Sequence, residues 1–235
     1  MKRKLLKSFL WIAGLIVIFV ILNAKVSTRQ GVNYIVHTKR IPLYLKITDF
    51  FDRHYNYGVL TKSIIKGAKN DEERVMRIFT WTYGNMRRTT EGTPIIDDHV
   101  WYTIVRGYGV DDQFSDVFTV LCNYAGIDAF YSLIYAEDHG RRLVLSFVKI
   151  GGEWRVLDPY NGVYFKNNSA SIATVDDIQK GKWVVVNVQG EPKNRSDYEE
   201  FIKKLPNEKE IDLNRANIQS PFKRAIFELK KLTRH

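Results

Sequence analysis

The stretch GYGVDDQFSDVFTVLCNYAGIDAF, Gly107 to Phe130, decides the fold. A glycine-rich approach runs into Asp111 and Asp112, residues suited to the first turn of a helix because the dipole there favours negative charge. Val117, Phe118, Val120, Leu121 and Ala125 then recur at helical spacing, and Gly126 supplies a stop. The spacing predicts a buried helix from Asp111 or Asp112 to about Gly126. Cys122 sits inside this apolar pattern and reads as a core residue, since a reactive thiol needs an exposed, electropositive setting.

Upstream, Asn70 caps a second helix in NDEERVMRIFTWTYGNM, with Asp71, Glu72 and Glu73 in the first turn and Val75, Ile78, Phe79 and Tyr83 as the apolar stripe. Downstream the period changes from helical to strand-like. AFYSLIYA, the turn EDHG, RRLVLSFVKI, the turn GG and EWRVLDPY read as a β-meander, and GKWVVVNV as a further strand. Ser196 and Glu199 read as a capping box for DYEEFIKKL. Ser220 and Pro221 open a last helix with Phe222, Ala225, Ile226, Leu229 and Leu232 on one face. Helices followed by antiparallel strands make an α+β fold.

The chain has 235 residues and a formal charge of +10. Six Lys/Arg lie in residues 1–30 with no acid, and five lie in residues 221–235 with one Glu. The body between them is neutral, which argues against nucleic-acid binding, where the basic excess belongs on the folded domain. A single cysteine allows no intramolecular disulfide and no thiolate metal cluster. No cofactor or metal is expected.

The N-terminus places Lys2, Arg3, Lys4 and Lys7 before an uncharged apolar run from Ser8 to Ala24. Residues 8–24 are long enough for a transmembrane helix with help from Leu5 and Leu6, and the match to a small-residue cleavage site is poor. An uncleaved signal anchor is expected, with the N-terminus cytoplasmic and the rest extracytoplasmic. The expected organisation is 1–24 anchor, 25–69 membrane-proximal connector with a short helix near ITDFFDRHY, 70–190 core, and 191–235 helical extension.

YAGIDA (Tyr124–Ala129) followed by EWRVLDPY, with Trp154, Leu157, Asp158 and Pro159, resembles the core of transglutaminase-like domains, which share the papain-like cysteine-protease fold. The resemblance covers roughly Asn70 to Tyr164 and implies helices packed on an antiparallel sheet. It also implies a triad of Cys, His and Asp, with the thiol at a helix N-terminus that lowers its pKa. Counting from Gly126, the cysteine position falls on Asp111. Counting from Trp154, the histidine position falls on Leu145. Only Asp158 matches. No Cys or His occurs from Val105 to Phe118 or from Arg141 to Val156, so small slips of alignment do not restore the pair.

This degenerate triad argues against catalysis. The alternative is a hydrolase using the carboxylates of Asp111, Asp112 or Asp158 on a glycan or peptide. His139 reads as a solvated turn residue and His99 as a loop residue. Trp101, Tyr108, Phe147 and Trp154, with Asp112, are candidates for the walls of a binding cleft. The resemblance also suggests a role in cell-envelope or surface-polysaccharide assembly, with a glycan, peptide or protein partner.

Overall fold

The computed structural model describes residues 2–136, 140–190, 193–207, 211 and 226. His139 and the expected C-terminal helix from Ser220 lie outside the described residues, Ile226 excepted. The chain divides into two compact units, residues 1–56 with 94–98, and residues 57–93 with 99–235.

The first unit begins with α1 (Lys2–Asn23), in which the 18 residues Leu6–Asn23 are long and apolar enough to cross a membrane. Strands β1 (Lys25–Val32) and β2 (Ile35–Pro42) follow as an antiparallel hairpin. Its two-residue turn, Asn33 and Tyr34, has positive φ at both positions (48° and 66°), the backbone that matches strand twist. The hairpin base closes where the Leu43 amide donates to the Ala24 carbonyl at 2.9 Å. The connector therefore holds a hairpin that its sequence did not advertise. The short helix expected near ITDFFDRHY is instead the 22-residue α2 (Leu43–Ile64).

In the second unit, α3 (Asp71–Asn85) starts where the Asn70 side chain accepts the Glu73 amide at 2.8 Å, as the capping pattern predicts. Val75, Ile78, Phe79 and Thr82 are its buried face. Two-residue strands β3 (Arg87–Arg88), β4 (Ile96–Asp97, part of the first unit) and β5 (Tyr108–Gly109) flank α4 (Val100–Arg106). β3 and β5 pair in parallel. Helix α5 (Asp111–Tyr124) is followed by Gly126 at φ +86°, a conformation only glycine adopts cheaply. Beyond it lie β6 (Ala129–Tyr135), β7 (Arg142–Ile150), β8 (Glu153–Asp158), β9 (Val163–Lys166), α6 (Val175–Gln179), β10 (Val184–Asn187) and α7 (Ser196–Ile202).

Strands β6 to β10 form one antiparallel sheet in the order β10-β9-β8-β7-β6. Successive side chains on a strand point to opposite faces, and the sheet accordingly separates two cores. On one face Ala129, Val148, Ile150 and Leu157 pack with Val117, Phe118, Leu121 and Cys122 of α5 and with Val75, Ile78 and Phe79 of α3. On the other, Phe130, Leu145, Phe147, Trp154, Val156 and Phe165 pack with Val175 and Ile178 of α6 and Tyr198, Phe201 and Ile202 of α7. The fold is α+β, with helices packed on an antiparallel sheet. Cys122 is fully buried, and burial pushes its thiol well above the usual range.

The expected Ser196–Glu199 capping box is absent. Arg195 is already in the helical region, so the first turn begins one residue early. Its guanidinium lies over the Trp183 ring, 4.2 Å from the ring centroid, and donates to the Trp183 and Gly181 carbonyls. Glu199 pairs with Arg195 Nε at 3.0 Å rather than with a backbone amide.

Candidate functional site

The N-terminus of α5 is set by a close approach. A Cβ at Gly109 would meet Gln113 Oε1 at 2.9 Å and the Met86 side chain at 3.2 Å, so a larger residue where β5 enters the helix would push both side chains aside. Gln113 Oε1 accepts the Val110 amide at 3.2 Å, which satisfies one of the donors a helix start leaves open. Val110 is the boundary residue and Asp111 the first helical one. Asp111 Oδ1 accepts the Asp112 amide at 2.9 Å, and both carboxylates sit in the turn where the helix dipole favours anions.

Arg142, the first residue of β7, reaches this turn. Its Nη2 lies 3.3 Å from Asp111 Oδ1. The parity of β7 explains why. Val148 and Ile150 belong to the α5 core, so Arg142, Val144 and Ser146 share their face, while Leu145 and Phe147 belong to the opposite core. Leu145 therefore does not face Asp111; the β7 residue that does is Arg142. Counting along the chain from Trp154 fixed the distance but not the face. The signal that finds Arg142 is the two-residue period itself.

Asp158 ends β8 and is fully buried. Its Oδ1 accepts the Asn161 amide at 3.0 Å, and its Oδ2 accepts Asn161 Nδ2 at 2.7 Å and the Tyr198 hydroxyl at 2.9 Å. Burial raises its pKa; the bonds from Asn161 and Tyr198 and the charge of Arg88 oppose the rise. The Tyr198 hydroxyl is in turn pushed up by burial and by the Asp158 charge. Arg88 donates to the Tyr160 carbonyl and Asn161 Oδ1 and lies over the Tyr160 ring, 4.5 Å from the ring centroid. The Tyr160 ring meets Phe114 of α5 edge-on at 5.1 Å. Among the described residues no hydrogen bond or ion pair joins Asp111 to Asp158.

The aromatic candidates are placed apart. Phe147 stacks on Phe130 at 4.8 Å, and Trp154 meets Phe130 edge-on at 5.1 Å, both buried in the core facing α6 and α7. Trp101 is half-buried against Tyr57 at 5.3 Å. Tyr108 lies under the Arg106 guanidinium, at 5.9 Å. Asp112 is half-buried in the first turn of α5, and His99 precedes α4 with its ring 6.1 Å from Tyr102. The sequence reading missed Arg142, Arg88, Asn161 and Tyr198. The first two announce themselves only once strand pairing is known, and Tyr198 only once α7 is seen to pack under β8.

Chemically, the α5 turn offers a carboxylate and a guanidinium. A guanidinium stays protonated in proteins, so Arg142 is a hydrogen-bond donor and a counter-charge, not a base.

Among known proteins, the model of the transglutaminase-like superfamily matches residues 59–188, more than half of the chain. Comparison with curated proteins finds no match. Solved structures with similarity include a candidate cysteine protease from Cytophaga hutchinsonii, at 20% identity and a TM-score of 0.40 over 56% of this chain and 46% of that one. A candidate protease from Parabacteroides distasonis aligns at 16% identity and TM-score 0.39 over 58% and 26%. A TGase aligns at 11% identity and TM-score 0.36 over 57% and 43%. The chain spans less than half the length of each of these three. On the match of its central 130 residues, Leu60 and Thr61 through Val188 among them, this chain belongs to the transglutaminase-like superfamily.

Proposed function

We propose that the protein is a membrane-anchored transglutaminase-like domain that binds a ligand without cleaving it. The observation that carries the reading is the occupancy of the α5 turn. Counting back from Gly126 puts the family's thiol position on Asp111, which is paired with Arg142, while the chain's one cysteine is buried in the last turn of α5. A thiol mechanism needs a nucleophile and a base in contact, and among the described residues no thiol or imidazole is hydrogen-bonded to Asp111, whose partners are the Asp112 amide and Arg142. In this reading α1 is an uncleaved anchor with the N-terminus cytoplasmic and the domain extracytoplasmic. The ligand is a glycan or peptide of the cell envelope, and the domain serves as a binding or scaffolding module in envelope or surface-polysaccharide assembly.

The test uses the full chain in detergent or bilayers, screened against amide, ester and glycoside substrates and, in parallel, for glycan and peptide binding by thermal shift. Binding without turnover is expected. Turnover that disappears in Asp111→Asn would instead establish carboxylate hydrolysis and remove the binding-only reading. Protease protection of sealed vesicles checks the orientation: the domain is expected to be shielded in inside-out vesicles and digested in right-side-out ones.

A further inference from the structure

The β1–β2 hairpin is exposed on one face of β1 and on both faces of β2, and the face the two strands share is cationic. Register places Lys25, Ser27, Arg29 and Gly31 of β1 opposite Pro42, Arg40, Thr38 and Val36 of β2. On β1 the exposed residues are Lys25, Ser27 and Arg29, whereas Val26, Thr28, Gln30 and Val32 of the other face are half-buried. Lys25, Arg29 and Arg40 thus share one open surface. His37 and Lys39 extend from the other side of β2, which is exposed from Ile35 to Arg40. Lys46 of α2 donates to the Ser27 carbonyl at the hairpin base. The one acid on this three-stranded sheet is Asp97 of β4, whose side chain covers the buried Gly31 on the same face and leaves Lys25, Arg29 and Arg40 as its open, cationic part. At the tip, Tyr34, Ile35 and Val36 are 79%, 63% and 63% exposed. An amphipathic tyrosine beside aliphatic residues suits the headgroup layer of a bilayer, and lysine and arginine suit its phosphates.

Position adds to charge. Only Ala24 separates α1 from β1, and the hairpin returns to Ala24 through the Leu43 amide. Both ends of the hairpin are therefore held at the end of the apolar helix. Each strand has eight residues, so the tip lies within about 26 Å of that point at ~3.3 Å per residue.

We propose that the open face of the β1–β2 hairpin, through Lys25, Arg29 and Arg40 with Tyr34 and Val36 at its tip, lies on the anionic phosphate headgroups of the bilayer that α1 crosses. The proposal rests on α1 being a membrane span. A second copy of the chain is the poorer occupant, because β2 paired with its own copy would bring Lys39 and Arg40 against the same cations, the pattern by which edge strands resist pairing.

The experiment places the full chain in liposomes and attaches an environment-sensitive dye at Thr38→Cys; Cys122 is buried and does not compete for the label. Quenching by a headgroup-linked quencher is compared in phosphatidylcholine alone and in mixtures with phosphatidylglycerol. Several-fold stronger quenching in the anionic bilayers is expected, lost at high salt and lost in Lys25→Gln/Arg29→Gln/Arg40→Gln. Equal quenching in both lipids, or a solvent-exposed dye in both, overturns the proposal. So does a dye shielded equally in lipid-free detergent micelles, which would mean a second copy covers the face. Co-flotation with the liposomes is read separately. Failure to float removes the anchor and this proposal together, while flotation with an exposed dye removes this proposal alone.

Discussion

Two carboxylates, Asp158 at the end of β8 and Asp111 at the start of α5, live in different physical worlds. Asp158 is fully buried and takes three hydrogen bonds, two from Asn161 and one from Tyr198. Asp111 has a side chain 27% exposed and meets a single arginine whose side chain is 42% exposed. Asp158 fastens the end of β8 to the loop at Asn161 and to α7, so it holds three elements in register. Asp111 serves only the first turn of its own helix and one neighbouring strand. A carboxylate inside a bonded network is architecture whatever its ancestry, because removing it strands buried donors. A carboxylate on the rim is replaceable, and replaceable positions are where a site's chemistry is free to change.

The largest effect therefore belongs to the buried side of this comparison. Asp158→Ala leaves the Tyr198 hydroxyl and both Asn161 donors without their acceptor, and a loss on the order of 3–5 kcal/mol is expected in urea unfolding. Phe147→Ala should cost a similar amount, about 3–5 kcal/mol, because Phe147 is a core residue stacked on Phe130 and not a cleft wall. A near-neutral result for Phe147→Ala would return it to the list of ligand contacts. Asp158→Asn is milder and carries a pH signature. The folded-state pKa of Asp158 lies above its ordinary value. A group of this kind holds its proton longer folded than unfolded, so stability is greatest below the ordinary carboxylate range. It falls as pH rises from about 4 through the raised folded value. Melting temperature against pH should show that decline in the wild type. Relative to it, Asp158→Asn should gain stability as the pH rises through the same window.

Much of this was legible in the residues. Asn70 and the acids behind it announced α3; the change from helical to alternating period announced the passage from α5 into the meander; YAGIDA and EWRVLDPY in order announced the family. What stayed hidden shared one cause. Strand parity and pairing are properties of the folded sheet, so Leu145 was counted into a cleft from which its backbone turns it away, and Arg142 was overlooked. The hairpin at 25–42 was hidden because its turn, Asn33-Tyr34, lacks the glycine that marks such turns, and because β2 is exposed nearly throughout and so shows no alternation. The α7 start was misplaced by one residue: Arg195, already helical, contacts Trp183 twelve residues back in the chain, a contact that local pattern alone does not reveal.

The smallest expected effect sharpens the rim side. The Asp111–Arg142 pair is part-exposed and solvent-screened, so Asp111→Ala, Arg142→Ala and the double variant should each change stability by less than about 1 kcal/mol, with a coupling of a few tenths. Asp111→Ala also gives up a favourable interaction with the α5 dipole, which puts it slightly above Arg142→Ala. High salt should shrink both differences further. A double-mutant cycle in urea measures all of this. A coupling well above 1 kcal/mol would mean that the pair is as structural as Asp158, and the contrast between a fixed buried carboxylate and a replaceable exposed one would fail at its weaker end. A small coupling leaves the pair with Arg142 without structural duty, so that Asp111→Asn, which keeps an Oδ1 acceptor for the Asp112 amide, reports on ligand binding or turnover at little cost in stability.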